Sequence, residues 1–397
     1  MKYKLKDIIK FKPGYAFKTS QMNNKGLNLI KIKSMKDNKI IFDKDTVKIQ
    51  ETESLKDYII RKNDILMALT GDPINKGSYE TWVGRTSRYT YNYNSYLNQR
   101  ICKLIPNEEI INSDYFYYWL IDYNKTFEIA SLCRGSANQA NISHKDVGEM
   151  SIELPELSEQ IKIGNILTNI DNKIIINNQT NDNLYKLMQI KFEDWITNLS
   201  KYEVSSLSKI ANYTNGLAMQ KFRPKDNEES LPVIKIKEMN DGITENTERC
   251  STNIKDEVII NNGDVLFAWS GTLCMSIWGK GKAGLNQHIF KVTSDKYPKW
   301  FYYFWTLQHL NKFKMIAAGK ATTMGHIKRG ELDVSEVLIP EDRELQEMHK
   351  IMQPLFEKYI NNLIQNETLT ELRDTLLPKL MNGEIDLDNI ELENING

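Results

Sequence analysis

The sequence lacks the features of a membrane protein and of a secreted protein. None of its apolar runs approaches the roughly 20 residues that a membrane-spanning helix needs. Residues 1–6 are charged and precede no apolar stretch, which argues against a signal peptide. The four cysteines are scattered and form no Cys-x-x-Cys pair, so they predict reduced thiols rather than disulfides or a zinc site. These absences predict a cytoplasmic protein without a membrane segment.

Catalytic motifs are missing as well. There is no Gly-x4-Gly-Lys-Ser/Thr phosphate loop, no His-Glu-x-x-His, and no Asn/Asp-Pro-Pro-aromatic tetrapeptide of the kind that adenine methyltransferases need. The five histidines fall at no metal-ligand spacing. Residues 279–284 do satisfy Gly-x-Gly-x-x-Gly, but they lie at no strand-to-helix turn, so we interpret them as a basic loop. The sequence therefore predicts a non-catalytic protein without a metal ion or cofactor of its own.

The chain has no net charge, but its charges are unevenly distributed. Lys and Arg outnumber Asp and Glu by 24 to 19 in residues 1–157 and by 19 to 15 in residues 201–340. The balance is 4 to 5 in residues 158–200 and 5 to 13 in residues 341–397. Two basic segments therefore alternate with two acidic ones, a distribution that favours a polyanionic partner for the basic segments.

The second half of the chain repeats the first. Short blocks recur in the same order, and the offset between the copies drifts from 202 to 185 residues, so the loops differ in length. A repeat of this length indicates a duplicated domain with pseudo-twofold symmetry. The matched blocks are Leu5–Ile9 with Leu207–Ala211, Ile32–Met35 with Ile236–Met239, Asn63–Gly71 with Gly263–Gly271, Leu97–Gln99 with Leu285–Gln287, Phe116–Tyr118 with Phe301–Tyr303, and Pro155 with Pro340.

Each copy ends in a long heptad-patterned segment, which predicts a helix that pairs with its counterpart. Asn177 and Asn181 lie on the predicted helix–helix interface of the first segment, and an offset of 185 residues places Asn362 and Asn366 at the same positions in the second. If the helices run antiparallel, these four asparagines meet and fix the register. An alternative is that they are exposed residues of an asparagine-rich chain.

The predicted fold class is α+β, with two mixed α/β domains separated by two long antiparallel helices that form a coiled coil. The alternation of short β-rich runs with one aromatic-rich helix per copy supports this assignment. The predicted boundaries are residues 1–157 for domain 1, 158–200 for helix 1, 201–340 for domain 2, 341–383 for helix 2, and 384–397 for an acidic tail.

The arrangement resembles the specificity (S) subunit of type I restriction–modification systems over nearly the whole chain. The resemblance rests on four features. Residues 12–18 are similar to the family's Gly-x-x-Phe-Lys turn, and both copies contain its Asp-Ile/Val-Leu and Leu-Asn-Gln strands. Residues 135–143 are similar to its Gly-Ser-x-Gln-x-Asn-Ile loop, and residues 377–385 to its final helix boundary. The second copy departs from the pattern, because residues 216–221 lack the Phe-Lys pair and residues 319–327 carry threonines instead of the loop glutamine.

The resemblance implies two target recognition domains that each read one half of a bipartite DNA sequence. It also implies two methyltransferase subunits as partners, which bind S-adenosylmethionine, and two restriction/translocase subunits in the full complex. Domains on one face of a duplex favour half-sites about one helical turn, roughly 10 base pairs, apart. The asparagines Asn177, Asn181, Asn362 and Asn366 would pin the register that sets this gap.

We expect the DNA contacts in basic and amide residues of the loops between framework strands, where Arg and Gln suit base edges and Lys suits phosphates. The candidates in domain 1 are Lys12, Lys18, Arg85, Arg88, Arg134, Ser136, Asn138 and Gln139. Those in domain 2 are Lys221, Arg223, Lys280, Lys282, Lys320, Thr322 and Lys328.

Two other classes of protein fit the same sequence less well. One is a standalone DNA- or RNA-binding protein without enzyme partners, which a lack of exposed apolar residues on the long helices would favour. The other is a coiled-coil scaffold that binds only protein, against which the uneven charge distribution argues. A self-sufficient enzyme is the least favoured reading, because no catalytic motif is present.

Overall fold

The structure is a computed structural model that describes residues 1–36, 38–76, 79–133, 140–244, 246–319 and 325–387. Its contacts divide the chain into two units. Unit 1 comprises residues 1–171 and the chain from residue 372 onward, and unit 2 comprises residues 172–371. Each unit therefore contains one of the repeated copies together with parts of both long helices.

Unit 1 contains the first fifteen strands and begins the longest helix of the chain. The strands are β1 (Lys2–Lys4), β2 (Ile9–Pro13), β3 (Met22–Asn23), β4 (Leu27–Ile30), β5 (Met35–Lys36), β6 (Lys39–Ile40), β7 (Lys48–Ile49), β8 (Ile59–Ile60), β9 (Ile65–Ala68), β10 (Thr70–Gly71), β11 (Thr86–Arg88), β12 (Ser95–Leu97), β13 (Ile101–Pro106), β14 (Ala140–Asn141) and β15 (Ser151–Glu153). The helices are α1 (Leu5–Ile8), α2 (Ser113–Ile121), α3 (Tyr123–Ser131), α4 (His144–Gly148) and α5 (Leu157–Thr197), of which α5 continues into unit 2.

Unit 2 contains ten strands and the second long helix, whose last residues belong to unit 1. The strands are β16 (Tyr202–Ser206), β17 (Asn212–Asn215), β18 (Ser230–Ile234), β19 (Arg249–Ser251), β20 (Ile259–Ile260), β21 (Val265–Ala268), β22 (Cys274–Ile277), β23 (Ala283–Leu285), β24 (Ile289–Thr293) and β25 (Glu336–Pro340). The helices are α6 (Leu207–Ile210), α7 (Ile236–Asp241), α8 (Lys299–Ala318), α9 (Gly330–Asp333) and α10 (Asp342–Met381).

The two units share a framework of two sheets. The order β2-β13-β9-β11 in unit 1 corresponds to β17-β24-β21-β22 in unit 2, and β4-β12-β8 corresponds to β18-β23-β20. In each second sheet one strand pair is parallel, β4 with β12 and β18 with β23. Unit 1 adds β6 and β5 to the first sheet and β7 and β3 to the second, whereas unit 2 adds only β19. The predicted repeat is thus a structural repeat with different insertions.

The repeated Asp-Ile/Val-Leu pattern marks the start of the central strand in each first sheet. Asp64 accepts the Arg61 N–H at 2.8 Å and lies 2.6 Å from the Lys103 ammonium, while Asp264 lies 2.9 Å from that of Lys291. The residue before each aspartate has a positive φ, 71° at Asn63 and 84° at Gly263, which explains why asparagine or glycine stands there. Each aspartate therefore pairs with a partly buried lysine at the turn before the strand, which is a structural role.

The helices differ from the sequence expectation mainly at their ends. In unit 1 the predicted aromatic helix is interrupted at Asp122. The side chain of Asp122 caps a second helix, α3, because it accepts the Asn124 N–H at 3.0 Å. In unit 2 the corresponding helix, α8, continues without a break for 20 residues. The long helix α10 continues through Pro354 without ending there.

The fold-class prediction is confirmed, because two repeated α/β copies alternate with two helices of 41 and 40 residues. Within unit 2, α5 residues with rising numbers contact α10 residues with falling numbers, so these paired segments run antiparallel. Of the helices in the described part of the chain, none combines the length and apolarity that a membrane span requires.

Candidate nucleic-acid interface

In unit 1, the loop after β2 pairs with the turn that joins β12 to β13. The Tyr15 N–H donates to the Leu97 carbonyl at 2.9 Å, and the Gln99 N–H donates to the Tyr15 carbonyl at 2.9 Å. A Cβ at Gly14 would lie 2.2 Å from the Asn98 carbonyl oxygen, so only glycine permits this close approach. The glycine of the first loop and the Leu-Asn-Gln turn therefore form one backbone contact, which we call the joint.

Unit 2 builds the same joint. The Leu217 N–H donates to the Leu285 carbonyl at 2.9 Å, and the Gln287 N–H donates to the Leu217 carbonyl at 2.9 Å. A Cβ at Gly216 would lie 2.2 Å from the Leu285 carbonyl oxygen. The loss of the Phe-Lys pair in this copy has not altered the backbone arrangement.

The asparagine of each Leu-Asn-Gln turn fixes the residue that follows the motif. The Asn98 Oδ1 accepts the Arg100 N–H at 3.4 Å, and the Asn286 Oδ1 accepts the His288 N–H at 3.2 Å. Arg100 and His288 thus occupy equivalent positions beside the joint, immediately before β13 and β24. Both residues directly follow the Leu-Asn-Gln pattern, and neither is among the contacts predicted from the sequence.

In unit 1, Arg100 lies in an exposed polar group. Its Nη1 donates to the Thr70 Oγ1 at 3.3 Å, and the Thr70 hydroxyl donates to the Asn141 Oδ1 at 2.8 Å. Thr70 and Asn141 pair through β10 and β14. We call Thr70, Gln99, Arg100 and Asn141 the unit 1 corner. It offers a guanidinium and two amides at the end of a sheet.

In unit 2, the equivalent place carries aromatic and imidazole rings. Ser270 and His326 form an antiparallel bridge, and the Trp269 ring lies 6.0 Å from His288 and 6.3 Å from His326. Among the described residues, the Trp269 Nε1 and the His288 Nδ1 are buried without a hydrogen-bond partner. We call Trp269, Ser270, Gln287, His288 and His326 the unit 2 corner. Buried polar atoms without a partner are uncommon, which sets this corner apart from ordinary core packing.

The predicted cationic contacts fall into two groups by their surroundings. Five are exposed side chains that form no ion pair with the described residues: Lys18, Lys221, Arg223, Lys282 and Lys328. Lys12 lies 3.2 Å from the Asp57 carboxylate, and Lys280 lies 4.0 Å from that of Glu367, so these two lysines are partly neutralised. Exposed lysines of this kind suit phosphate contacts, whose strength depends on salt.

Arg85 and Arg88 do not lie in an exposed loop as predicted. The Arg85 guanidinium is buried and donates to four carbonyls, including those of Thr81 at 2.7 Å and Ile32 at 3.1 Å, and this burial lowers its pKa. Arg88 is buried on β11, with its Nη2 2.9 Å from the Asp114 carboxylate and its guanidinium 4.1 Å from the Tyr117 ring centre. Both arginines hold unit 1 together and are omitted from the proposed interface.

The remaining candidates lie in the two Gly-led loops that precede the corners. They are outside the described residues, which end at 133 and 319 and resume at 140 and 325. The candidates concerned are Arg134, Ser136, Asn138, Gln139, Lys320 and Thr322.

The four predicted interface asparagines are brought together within unit 2. The Asn177 Nδ2 donates to the Asn366 Oδ1 at 2.9 Å, and the Asn362 Nδ2 donates to the Asn181 Oδ1 at 2.9 Å. The Asn366 Nδ2 in turn donates to the Asn178 Oδ1 at 2.8 Å. Asn177, Asn181 and Asn362 are buried, so a shift in helix register would leave amide groups without partners.

Metal-binding chemistry has no support in the described residues, where no cluster of His, Cys, Asp and Glu could hold an ion. The four cysteines are free thiols. Burial raises the pKa of Cys102 to about 12, which keeps this thiol protonated and unreactive at neutral pH. The candidate interface is therefore built from hydrogen-bonding and charged groups alone.

Comparison with known proteins identifies one family along most of the chain. The model of the type I restriction–modification DNA specificity domain matches residues 1–186 and 200–371. The MjaIX specificity subunit of Methanocaldococcus jannaschii is 23% identical over 320 residues, which cover 74% of this chain and 73% of that protein. The HindI specificity subunit of Haemophilus influenzae is 21% identical over 364 residues, which cover 70% and 79%.

The fold also has a solved counterpart. The crystal structure of the S subunit of a type I restriction–modification system from M. genitalium superposes with a TM-score of 0.57. The match covers 96% of this chain and 95% of that one, at 16% sequence identity. At this identity, the likeness concerns the architecture and not individual contacts.

Proposed function

This chain belongs to the family of type I restriction–modification specificity subunits, and from this premise we propose that it reads a bipartite DNA sequence, one half-site per unit. The proposal includes no catalytic role for the chain. It assigns methylation to two methyltransferase subunits, which bind S-adenosylmethionine, and cleavage to two restriction/translocase subunits.

The observation that carries the proposal is that the two corners share a backbone and differ in their side chains. Arg100 occupies the position that His288 occupies in unit 2, and Thr70 and Asn141 correspond to Ser270 and His326. A guanidinium can donate two hydrogen bonds to guanine O6 and N7, which a histidine cannot do. Equivalent positions with different donors suit the recognition of two different half-sites.

Phosphate contacts would come from the exposed lysines and Arg223. Lys18, Lys221, Lys282 and Lys328 carry unpaired positive charge in copies whose overall balance is also basic. Such contacts position the protein on the duplex without reading sequence, and each weakens as salt rises. The candidates at residues 134–139 and 320–324, outside the described part of the chain, are proposed for the same surface.

The long helices would set the spacing between the half-sites. At about 1.5 Å per residue, helices of this length measure about 60 Å. The asparagine pairs at Asn177 and Asn366 and at Asn181 and Asn362 restrict their register. We therefore propose that these pairs maintain the gap of several base pairs that a bipartite target contains.

Partner docking would use apolar side chains that the helices leave exposed. The side chains of Ile176, Leu187 and Ile190 on α5 and Ile351 on α10 are 56%, 41%, 63% and 46% exposed. Ile175 and Leu363 are partly buried and could add to this contact, whereas Ile166, Phe192 and Phe356 are buried in the units and could not.

The test is methylation mapping. The chain is co-expressed with the methyltransferase subunit of its own system, and methylated adenines are mapped across the host genome. A two-part motif is expected. Arg100→Ala should relax one half of the motif and His288→Ala the other half, because a good base contact is worth about 1–3 kcal/mol of discrimination.

Arg343→Ala is the matched control. Its side chain is 90% exposed on α10, far in sequence from both corners, and it pairs with Glu347. The motif should be unchanged in this variant. A continuous motif in the wild type, or loss of specificity in both halves from either corner variant, would contradict the assignment of one half-site to each unit.

A further inference from the structure

The helix pair is held by different chemistry in the two units. In unit 1, the Arg373 Nη1 donates to the Asp171 Oδ1 at 3.0 Å, which joins α10 to α5. The Tyr118 hydroxyl of α2 donates to the other oxygen of Asp171 at 2.7 Å. Side chains of Asp171 and Arg373 are only 24% and 20% exposed. Both carboxylate oxygens are thus engaged, one by each neighbouring helix.

The equivalent positions in unit 2 are apolar. Pro155 and Pro340 are equivalent at an offset of 185 residues. At the same offset, Asp171 is equivalent to Phe356, Tyr118 to Tyr303, and Met188 to Arg373. Met188 and Phe356 are 1% exposed and belong to one hydrophobic cluster with Tyr303. The Tyr303 and Phe356 rings lie 5.5 Å apart. A charged pair in one copy is therefore replaced by an apolar pair in the other.

We infer that this difference makes the pairing of the two helices selective: α5 accepts α10 and rejects a second α5, and α10 rejects a second α10. The occupant that each long helix fits is the opposite half of this chain, from the same molecule or from a second copy. Two first halves joined in the same antiparallel register would place Asp171 against Met188. Two second halves would place Arg373 against Phe356.

A pair of two first halves would leave Asp171 without the arginine in a largely buried place, which is strongly unfavourable. A pair of two second halves would separate Arg373 from Asp171 and leave it the more exposed Asp374 carboxylate of its own helix, at 2.7 Å. The charge term is therefore larger against two first halves. The larger side chains add to the effect. Where unit 1 has Leu377 of α10, unit 2 has Phe192 of α5, whose ring stacks 5.4 Å from Phe304. A first half paired with itself would place Phe192 where unit 1 accommodates a leucine, and such overpacking also disfavours the pair.

The asparagines do not discriminate between the pairings. Asn177 and Asn181 on α5 stand at the same positions as Asn362 and Asn366 on α10. The pairs Asn177–Asn366 and Asn181–Asn362 would therefore have equivalents in like and unlike pairs. The weaker exception is the contact of Asn366 with Asn178, whose equivalent in the second copy is Leu363. Selection falls to the positions that differ between the copies, of which Asp171 and Arg373 carry the charge.

This selectivity rests on helix contacts and does not require DNA recognition. If the proposed function also holds, its consequence is that a complex always contains one reader of each kind. Exchange of halves between molecules would then not create a protein that reads the same half-site twice.

The test begins from the folded full-length chain. A protease site is inserted between Ser200 and Lys201, which are exposed after the end of α5, and the chain is cut after folding. Nicked molecules with and without isotope label are mixed, allowed to exchange, and weighed by native mass spectrometry. Without selectivity, half of all pairs would be like pairs. We expect like pairs to be suppressed about tenfold in the wild type, as loss of a buried charge partner implies.

The decisive variant carries Asp171→Phe and Arg373→Met, the residues that the other copy has at these positions. Like pairs should rise severalfold toward the random proportion. Lys280→Gln, which removes the looser 4.0 Å pair with Glu367, should leave the proportions unchanged. If the double variant does not fold, Asp171→Asn with Arg373→Gln removes the charges at similar volume. Abundant like pairs in the wild type, or their continued absence in a folded charge-free variant, would overturn the inference.

Discussion

Unit 1 contacts the two long helices through charged side chains, whereas unit 2 contacts them through apolar and aromatic ones. The same strand framework is thus compatible with a polar and with an apolar interior. Arg88 on β11 faces Ile65, and the residue at the same register in unit 2, opposite Val265, is Ile277. Arg88 contacts Asp114 and stacks on Tyr117, whereas Ile277 belongs to the aromatic cluster of α8. The strand order and register are the same in both units, so strand pairing does not depend on whether the side chains packed against the sheet are charged or apolar.

The polar arrangement has a cost that the apolar one avoids. A buried ion pair must recover the free energy of desolvation, and it is strongly destabilising when only one partner remains. Around Asp171, burial raises the pKa of Tyr118, and the carboxylate raises it further, so the phenol stays protonated and able to donate. Unit 1 therefore depends on paired charges, and unit 2 depends on tight packing of rings.

The largest effect on this contrast should come from emptying the aromatic cluster of unit 2. Phe192→Ala should lower the free energy of unfolding by about 3–5 kcal/mol, because Phe192 is 1% exposed and its removal leaves a cavity. Urea unfolding followed by tryptophan fluorescence measures the loss, since Trp195 and Trp300 report on this cluster.

Two variants test whether the effect belongs to the cluster. Leu377→Ala, at the equivalent position of unit 1, should cost less, about 2–3 kcal/mol. Leu187→Ala, on the same helix but 41% exposed, should change stability by about 0.5 kcal/mol or less. A loss below 1 kcal/mol for Phe192→Ala would show that the aromatic cluster is not what stabilises unit 2.

The next effect concerns the charges of unit 1. Arg88→Met should lower the free energy of unfolding by about 2–3 kcal/mol, because it leaves Asp114 without the arginine and removes the cation from the Tyr117 ring. Ile277→Val, at the equivalent register of unit 2, should cost about 1 kcal/mol. Thermal unfolding of both variants measures the difference. An Arg88→Met protein as stable as the wild type would mean that the buried arginine contributes specificity without stability.

The sequence predicted the repeated framework because that framework rests on local patterns. The glycine, the Asp-Ile/Val-Leu strand and the Leu-Asn-Gln turn each depend on backbone geometry that few residues permit. The interface asparagines were also accessible, since heptad spacing places residues such as Asn181 and Asn362 on one helix face. Features of this kind are visible without knowing what lies across the interface.

Other features depend on neighbours that are distant in sequence. Arg85 and Arg88 were predicted to lie in a loop between framework strands, but carbonyls enclose Arg85, and Arg88 lies on β11 beside Asp114. Arg100 and His288 were overlooked because their shared position follows from the turn geometry that Asn98 and Asn286 create. The pairing of Asp171 with Arg373 joins residues 202 positions apart, and no local pattern indicates it.

The smallest effect is a pH dependence confined to unit 2. His309 of α8 lies 2.7 Å from the Glu336 carbonyl, and burial lowers its pKa below the ordinary value of about 6.5. The unfolded chain therefore binds a proton more readily than the folded chain, so this contribution to stability is full above the unfolded pKa. It declines as the pH falls from about 7 through the folded pKa.

Asn124, the residue of unit 1 at the offset of 185, does not titrate. His309→Asn should thus flatten the slope of unfolding free energy against pH in this window, measured by urea unfolding at pH 5, 6, 7 and 8. An unchanged slope would assign the pH dependence to another group, and a steeper slope would mean that the folded state favours the protonated ring.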